Sequence, residues 1–150
     1  PPPEFGHHED PVSSAIAADG TLYLGGSVFD PLVDTDITPA VWRSRDGSTF
    51  ERMSMPTGIL SNKPEFVVTD HGLLGIVSMG PYESDNPWKV SFLGLNDDGE
   101  FSLIETNAPD SLTHGVNLWH ATYFDGKLII VGERVDEPGI PYQWVWTPVD

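Results

Sequence analysis

Asp19-Gly20-Thr21-Leu22-Tyr23-Leu24-Gly25-Gly26 is the stretch on which the fold is read, because it returns twice. It comes back as Asp70-His71-Gly72-Leu73-Leu74-Gly75-Ile76-Val77-Ser78 and as Asp125-Gly126-Lys127-Leu128-Ile129-Ile130-Val131-Gly132. Aligned on glycine, Gly20, Gly72 and Gly126 stand 52 and 54 residues apart. The columns agree in kind: Leu22 with Leu74 and Leu128, Leu24 with Ile76 and Ile130, Gly26 with Ser78 and Gly132. A self-similar period of this length marks a repeat architecture, and a column of small residues in an apolar strand predicts close approach by another backbone or sheet.

Working outward, a strand precedes each turn, at Val12 to Ala18, Glu65 to Thr69 and Leu118 to Phe124. A polar, proline-bearing loop follows each apolar run. Third strands rich in aromatic and β-branched residues then run over Ala40 to Arg45, Trp88 to Leu95 and Tyr142 to Thr147. The turns Arg45-Asp46-Gly47-Ser48 and Asn96-Asp97-Asp98-Gly99 supply the positive φ that a hairpin needs, and lead into fourth strands at Thr49 to Ser54 and Glu100 to Glu105. No stretch keeps a helical period. The second strands are apolar on both faces, as a sheet between two others requires, and the fourth strands mix in charge. The chain is therefore predicted to be all-β, built as β-propeller blades: about three four-stranded antiparallel meanders over residues 11–56, 57–109 and 110–150. A β-sandwich with coincidental spacing is the rival architecture.

A step of 104 residues carries Val41-Trp42 onto Val145-Trp146 and Asp46 onto Asp150, so the last blade lacks its outer strand. The expectation is eleven strands and a partial propeller. Three completions follow: more blades in a longer polypeptide, a homo-oligomer that closes a ring, or a strand lent by a neighbouring chain.

The 150 residues carry 23 Asp and Glu against 7 Lys and Arg, a formal net charge of -16, with 14 Pro, 15 Gly and no Cys. Binding to nucleic acid or anionic lipid by bulk charge is excluded, because it needs clustered Lys and Arg. No stretch is apolar enough to span a bilayer as a helix, and the acidic, Lys-poor composition suits a secreted, cell-surface or high-salt setting, while the lack of Cys identifies no compartment. Disulfide frameworks, thiolate metal sites and cysteine catalysis are excluded.

The segment Trp42-Arg43-Ser44-Arg45-Asp46-Gly47-Ser48-Thr49-Phe50 resembles the Asp-box, or bacterial neuraminidase repeat, of sialidase-like propellers, whose pattern is Ser-x-Asp-x-Gly-x-x-Trp in the turn between third and fourth strands. Ser44 and Asp46 fit. Gly47 follows Asp46 directly and Phe50 replaces Trp with one residue fewer between, so the motif is degenerate. The resemblance implies a structural turn at Ser44, Asp46, Gly47 and Phe50. Sialidase activity would require an arginine trio, yet Arg43, Arg45 and Arg52 fall on third and fourth strands and only Arg134 remains.

Repeat geometry gathers His7, His8, the acidic loop Asp30 to Asp36, Trp88, His114 and Asp136-Glu137 on one face, opposite the Asp-box-like turn. His7, His8, His114 and Trp88 are candidates for a ligand-binding face; the bland reading of the histidines is a solvated terminal segment. Asp34 and Asp36 could offer alternate carboxylates to Ca²⁺, the one cofactor entertained. No phosphate loop, zinc signature or nucleophile elbow is present. The sequence reading is a non-catalytic extracellular binding or scaffolding module for a protein or glycan. A piece of a sialidase-like glycoside hydrolase and a self-assembling strand-exchanged protein are the alternatives.

Overall fold

The computed structural model describes residues 9–29, 37–56, 64–79 and 89–147, with 9–13, 29, 37 and 79 described by backbone alone. Three antiparallel sheets follow one another along the chain. Sheet 1 holds β1 (Glu9–Ala18), β2 (Thr21–Phe29), β3 (Ile37–Ser44) and β4 (Glu51–Arg52). Sheet 2 holds β5 (Glu65–Thr69), β6 (Gly72–Met79), β7 (Lys89–Leu95) and β8 (Phe101–Ile104). Sheet 3 holds β9 (Val116–Phe124), β10 (Lys127–Arg134) and β11 (Glu137–Trp146). In each, hydrogen-bonded order equals chain order, so every sheet is a meander. The first strands meet across sheets, β1 beside β5 and β5 beside β9, which makes them the inner strands of three propeller blades.

The turns explain both the meanders and one correction. Asp19-Gly20 and Asp125-Gly126 have φ of 49° and 72°, and of 51° and 71°, the left-handed pair that a two-residue hairpin needs and that Asp-Gly supplies at low cost. In the second blade the turn residues are Asp70 and His71, and Gly72 already pairs with Thr69. Thr21, Gly72 and Lys127 are therefore the equivalent positions, and the glycine alignment is one residue out in the middle repeat. Leu73, not Leu74, stands with Leu22 and Leu128. Val77, not Ser78, joins Gly26 and Gly132.

The corrected register accounts for the packing. Tyr23 and Val41 of sheet 1 pack on Leu73, Val77 and Leu93 of sheet 2, while the opposite face of sheet 2, with Ile76 and Phe92, packs on Leu128 and Ile130 of sheet 3. Successive sheets thus stack with the same face leading, as blades must. Val41, Ile76, Val77, Leu93, Leu128 and Ile130 are fully buried, each contributing about 1.5–3 kcal/mol. Leu24, Ala40 and Trp42 form a separate buried cluster on the other face of sheet 1.

Two serines tie each sheet to the next: Ser14 Oγ donates to the Pro64 carbonyl at 2.6 Å, and buried Ser78 Oγ to the Val116 carbonyl at 2.9 Å. Close approach is real at two of the glycines. A methyl on Gly132 would run into the Asn117 carbonyl oxygen, and one on Gly25 would lie 2.7 Å from both the Phe66 ring and the Pro64 carbonyl.

Three details differ from expectation. The outer strand β4 spans two residues, because Asp46 and Ser44 hold the preceding chain in a turn. A short helix, α1 (Asp110–Thr113), precedes β9 and buries Leu112 under sheets 2 and 3. Between β10 and β11 the expected loop is a tight turn at Val135-Asp136, so β11 starts at Glu137 instead of Tyr142; Pro138 and Pro141 lie within this outer strand.

Candidate functional site

The fifth position back along each inner strand is polar. Ser14, Glu65 and His120 pair with Gly25, Ile76 and Val131, so all three occupy one level of the propeller centre. Ser14 reaches the next blade through the Pro64 carbonyl. Glu65 does so through its side chain, whose Oε2 lies 3.1 Å from His120 Nδ1. Glu65 is partly buried, and desolvation pushes its carboxyl above the ordinary value, with the neighbouring imidazole pulling the other way. The His120 side chain is 71% exposed. Further along, Tyr123 of β9 donates from Oη at 3.0 Å to Oδ2 of Asp70 in the turn after β5, and desolvation together with this carboxylate raises the phenol.

His120 stands where β9 carries a bulge. Val131 pairs with His120 and Gly132 with Leu118, so Trp119 is an extra residue in the strand. Alternation breaks there, since Leu118 and Ala121 both reach the core between sheets 2 and 3. Trp119 joins none of the apolar clusters and is 45% exposed. Its side chain lies among the groups that favour the ionised Glu133 carboxylate. That carboxylate accepts first from the Gly139 backbone N–H at 2.7 Å and from Asn117 Nδ2 at 2.9 Å, and the three groups hold it below its usual range. Arg134 grips Asp136 with two bonds, 2.9 and 3.0 Å, which lowers that carboxyl and commits the guanidinium. Tyr142 Oη donates to Glu137 beside it.

His114 lies on this same face. It bridges to Lys89 through the backbone, and its Nδ1 is 3.0 Å from Thr113 Oγ1. His7, His8, Trp88, Asp34 and Asp36 lie outside the described residues. Among the described residues no group of three or more His, Asp or Glu side chains is arranged to hold a metal ion. No helix of the described residues is long and apolar enough to cross a membrane.

The opposite face carries the turn at residues 44–50. Asp46 Oδ1 accepts from Thr49 N at 2.7 Å, Ser48 N at 2.8 Å and Ser44 Oγ at 3.0 Å, while Ser44 Oγ accepts from Gly47 N at 2.9 Å. Those backbone donors push the Asp46 carboxyl far below the ordinary range. Gly47 has φ +73°, and Phe50 packs on the cluster of Leu24, Ala40 and Trp42. Arg43 spends its charge on Glu51 at 3.0 Å and on the Gly99 carbonyl at 3.4 Å, joining this turn to that of the second blade. The shallow cleft here, lined by Arg43, Arg45, Asp46 and Glu51, is thus occupied with its own architecture.

The sequence reading passed over Glu65, Trp119 and His120 as a group. The signal was present: in the structural register Ser14, Glu65 and His120 share a column, whereas the glycine register carries Glu65 onto Trp119 and hides the pair.

No protein-family model and no curated protein matches the sequence. Solved structures do. A GH32 beta-fructofuranosidase of Bombyx mori, BmSUC1, aligns over 87% of this chain and 30% of its own, with a TM-score of 0.51 and 15% identity. A point mutant of the same enzyme in complex with sucrose aligns over 96% of this chain and 34% of its own, with a TM-score of 0.54 and 14% identity. The chain thus spans about a third of the length of that protein. At such identity the likeness is one of fold, and it agrees with propeller blades. These neighbours are glycoside hydrolases, and the Asp-box finds no support among the comparisons.

Proposed function

We propose that this chain is a run of propeller blades that binds instead of catalysing, takes a protein or a glycan on the face bearing His114, Trp119 and His120, and works within a larger propeller or assembly in a secreted or cell-surface setting. One observation carries the reading. Exposed large apolar side chains are most numerous on or beside sheet 3, at Trp119, Phe124, Val135, Ile140 and Val145, against Val68, Leu103 and Ile104 on sheet 2, whose inner three strands pack on both faces. An apolar sheet face of this kind marks a contact surface. Chemistry argues the same way. Among the inner-strand carboxylates whose side chains are described, Glu65 stands by itself and is engaged by His120, while hydrolysis by paired carboxylates needs a second one roughly 5–9 Å away. Native mass measurement of the 150-residue chain tests the assembly: self-association that weakens in Val145→Asp supports it, and a strict monomer unaffected by that change counts against it.

A second reading, a piece of a glycoside hydrolase, is favoured by the BmSUC1 likeness and by the raised carboxyl of Glu65 on an inner strand. Reducing sugar released from sucrose by the native chain, and lost in Glu65→Gln, would replace the binding reading with this one.

A further inference from the structure

We infer that the turns Asp19-Gly20 and Asp125-Gly126 are sites of spontaneous isoaspartate formation, and that the fold shields the chain's other two Asp-Gly pairs, Asp46-Gly47 and Asp98-Gly99. This chemistry is independent of what the blades bind.

In Asp-Gly a main-chain nitrogen meets the preceding side-chain carboxyl with least hindrance, since glycine brings no Cβ. The glycine nitrogen gives up its proton and bonds to Asp Cγ, while the hydroxyl of the neutral carboxyl leaves as water. A second water then opens the five-membered succinimide. Breaking the bond from nitrogen to Cγ restores Asp; breaking the bond from nitrogen to the main-chain carbonyl carbon leaves isoaspartate, with the main chain rerouted through Cβ. No oxidant or co-reactant besides water is needed.

Geometry selects the sites. A type II′ turn holds its first central residue at φ and ψ of about +60° and −120°, and at that ψ Cβ is eclipsed with the next nitrogen, as ring closure requires. Asp19 and Asp125 already have φ of 49° and 51°, followed by Gly20 and Gly126 at 72° and 71°, in turns closed by the pairs Ala18–Thr21 and Phe124–Lys127. These are type I′ turns, and rotating the one Asp-Gly peptide plane converts I′ to II′ while both strands stay paired. The reactive conformation is thus one peptide flip away, with no blade unfolded. Among the described residues neither the Gly20 nor the Gly126 nitrogen donates a hydrogen bond, neither Asp carboxylate accepts one, and no atom lies within 4 Å of the Cβ position at either glycine.

At the other two pairs the Asp lacks positive φ and the glycine nitrogen is engaged. Asp46 Oδ1 accepts from the Ser48 and Thr49 nitrogens and from Ser44 Oγ, which keeps the carboxyl ionised, and the Gly47 nitrogen donates to Ser44 Oγ at 2.9 Å. Gly99 is held from both sides, its nitrogen donating to the Asn96 carbonyl at 2.9 Å and its carbonyl accepting from Arg43 at 3.4 Å. The inner turn of sheet 2 escapes differently: it reads Asp70-His71, with a bulky side chain after an Asp that accepts from Tyr123 Oη at 3.0 Å. Ageing therefore adds a main-chain atom to the β1–β2 and β9–β10 hairpins and spares β5–β6.

The test is incubation of the 150-residue chain in heavy-oxygen water at mildly acidic pH and body temperature, beside a sample in urea, followed by peptide mapping with electron-transfer fragmentation, which tells isoaspartate from aspartate. In the folded chain, isoaspartate should build up several-fold faster at Asp19 and Asp125 than at Asp46 and Asp98, and in urea the four pairs should react at comparable rates. Ser44→Ala, which frees the Gly47 nitrogen, should speed the reaction at Asp46, with thermal melts certifying that the variant folds. Equal rates at the four pairs in the folded chain, or the same ranking in urea, overturns the inference. So does a folded chain that stays unmodified at Asp19 and Asp125 while the unfolded one reacts. An unchanged rate at Asp46 in folded Ser44→Ala overturns the shielding of that pair.

Discussion

Sheets 2 and 3 share one strand plan and differ in what covers them. Sheet 2 has Leu73, Val77 and Leu93 against sheet 1 and Ile76, Val90 and Phe92 against sheet 3, so its centre is covered on both faces and exposed apolar side chains are left only at Val68 and, on its outer strand, Leu103 and Ile104. Sheet 3 buries Leu128, Ile130 and Ala121 on one side and leaves Val145 57% exposed on the other. The alternation of residues is nearly the same in β6 and β10, and the fate of each face is decided by the neighbour. The lesson is that an apolar second strand reports a sheet made to be covered twice, whether or not the second cover belongs to the same chain.

The comparison breaks most sharply by truncation. Ile76→Ala is expected to cost about 2–5 kcal/mol in urea unfolding, against at most about 0.5 kcal/mol for Val145→Ala. A Val145→Ala cost close to that of Ile76→Ala would mean that the outer face of sheet 3 is covered in solution. Next come the serine ties. Ser78→Ala strands a buried carbonyl at Val116 and should cost about 1–3 kcal/mol, whereas Ser14→Ala, at a serine that is itself only half-buried although its partner Pro64 is buried, should cost less because water can reach the vacated position. Equal costs would show that the two interfaces are equally dry.

The smallest effects are in pH. Burial raises the Glu65 carboxyl, so the stability tied to its protonated form is present below its ordinary value and lost as pH rises through the raised one. Glu65→Gln should gain melting temperature relative to the native chain between about pH 4 and 7, on the ordinary Glu scale. Asp46 runs the other way. Its lowered carboxyl contributes above the ordinary value, and the contribution disappears as pH falls through the folded one, so the deficit of Asp46→Asn should be seen near neutrality and shrink in acid. Differential melts check both signs, for the Glu65 variant across that range and for the Asp46 variant from neutrality down to pH values below the ordinary Asp range.

Much of this was legible in the residues. Asp-Gly turns ahead of apolar runs mark the hairpins, and eleven strands are found among the described residues, as they imply. What stayed hidden has physical causes. Leu73 and Leu74 are adjacent and alike, so a one-residue slip leaves the hydrophobic pattern intact while exchanging the faces. The same slip separates Glu65 from His120, a pair 55 residues apart whose meeting depends on register. The bulge at Trp119 shows in sequence only as Leu118 and Ala121 falling out of step, which has meaning once the inward face is known. The turn at Asp46 lay in plain view, because an Asp carboxylate three residues or fewer from free N–H groups caps them locally, with no help from tertiary structure.

The prolines in β11 have a consequence for handling the protein. Among the described residues that strand is the outermost of sheet 3, and its first half, with Pro138, Gly139 and Pro141, cannot offer a continuous row of amide donors. The second half, Tyr142-Gln143-Trp144-Val145-Trp146, has no such interruption and combines aromatic and β-branched residues without charge, the composition of a cross-β seed. Colloidal repulsion from a net charge of -16 then becomes the safeguard, so concentrated stocks should cloud first at high salt or near the isoelectric point of about 4.3, starting from this pentapeptide.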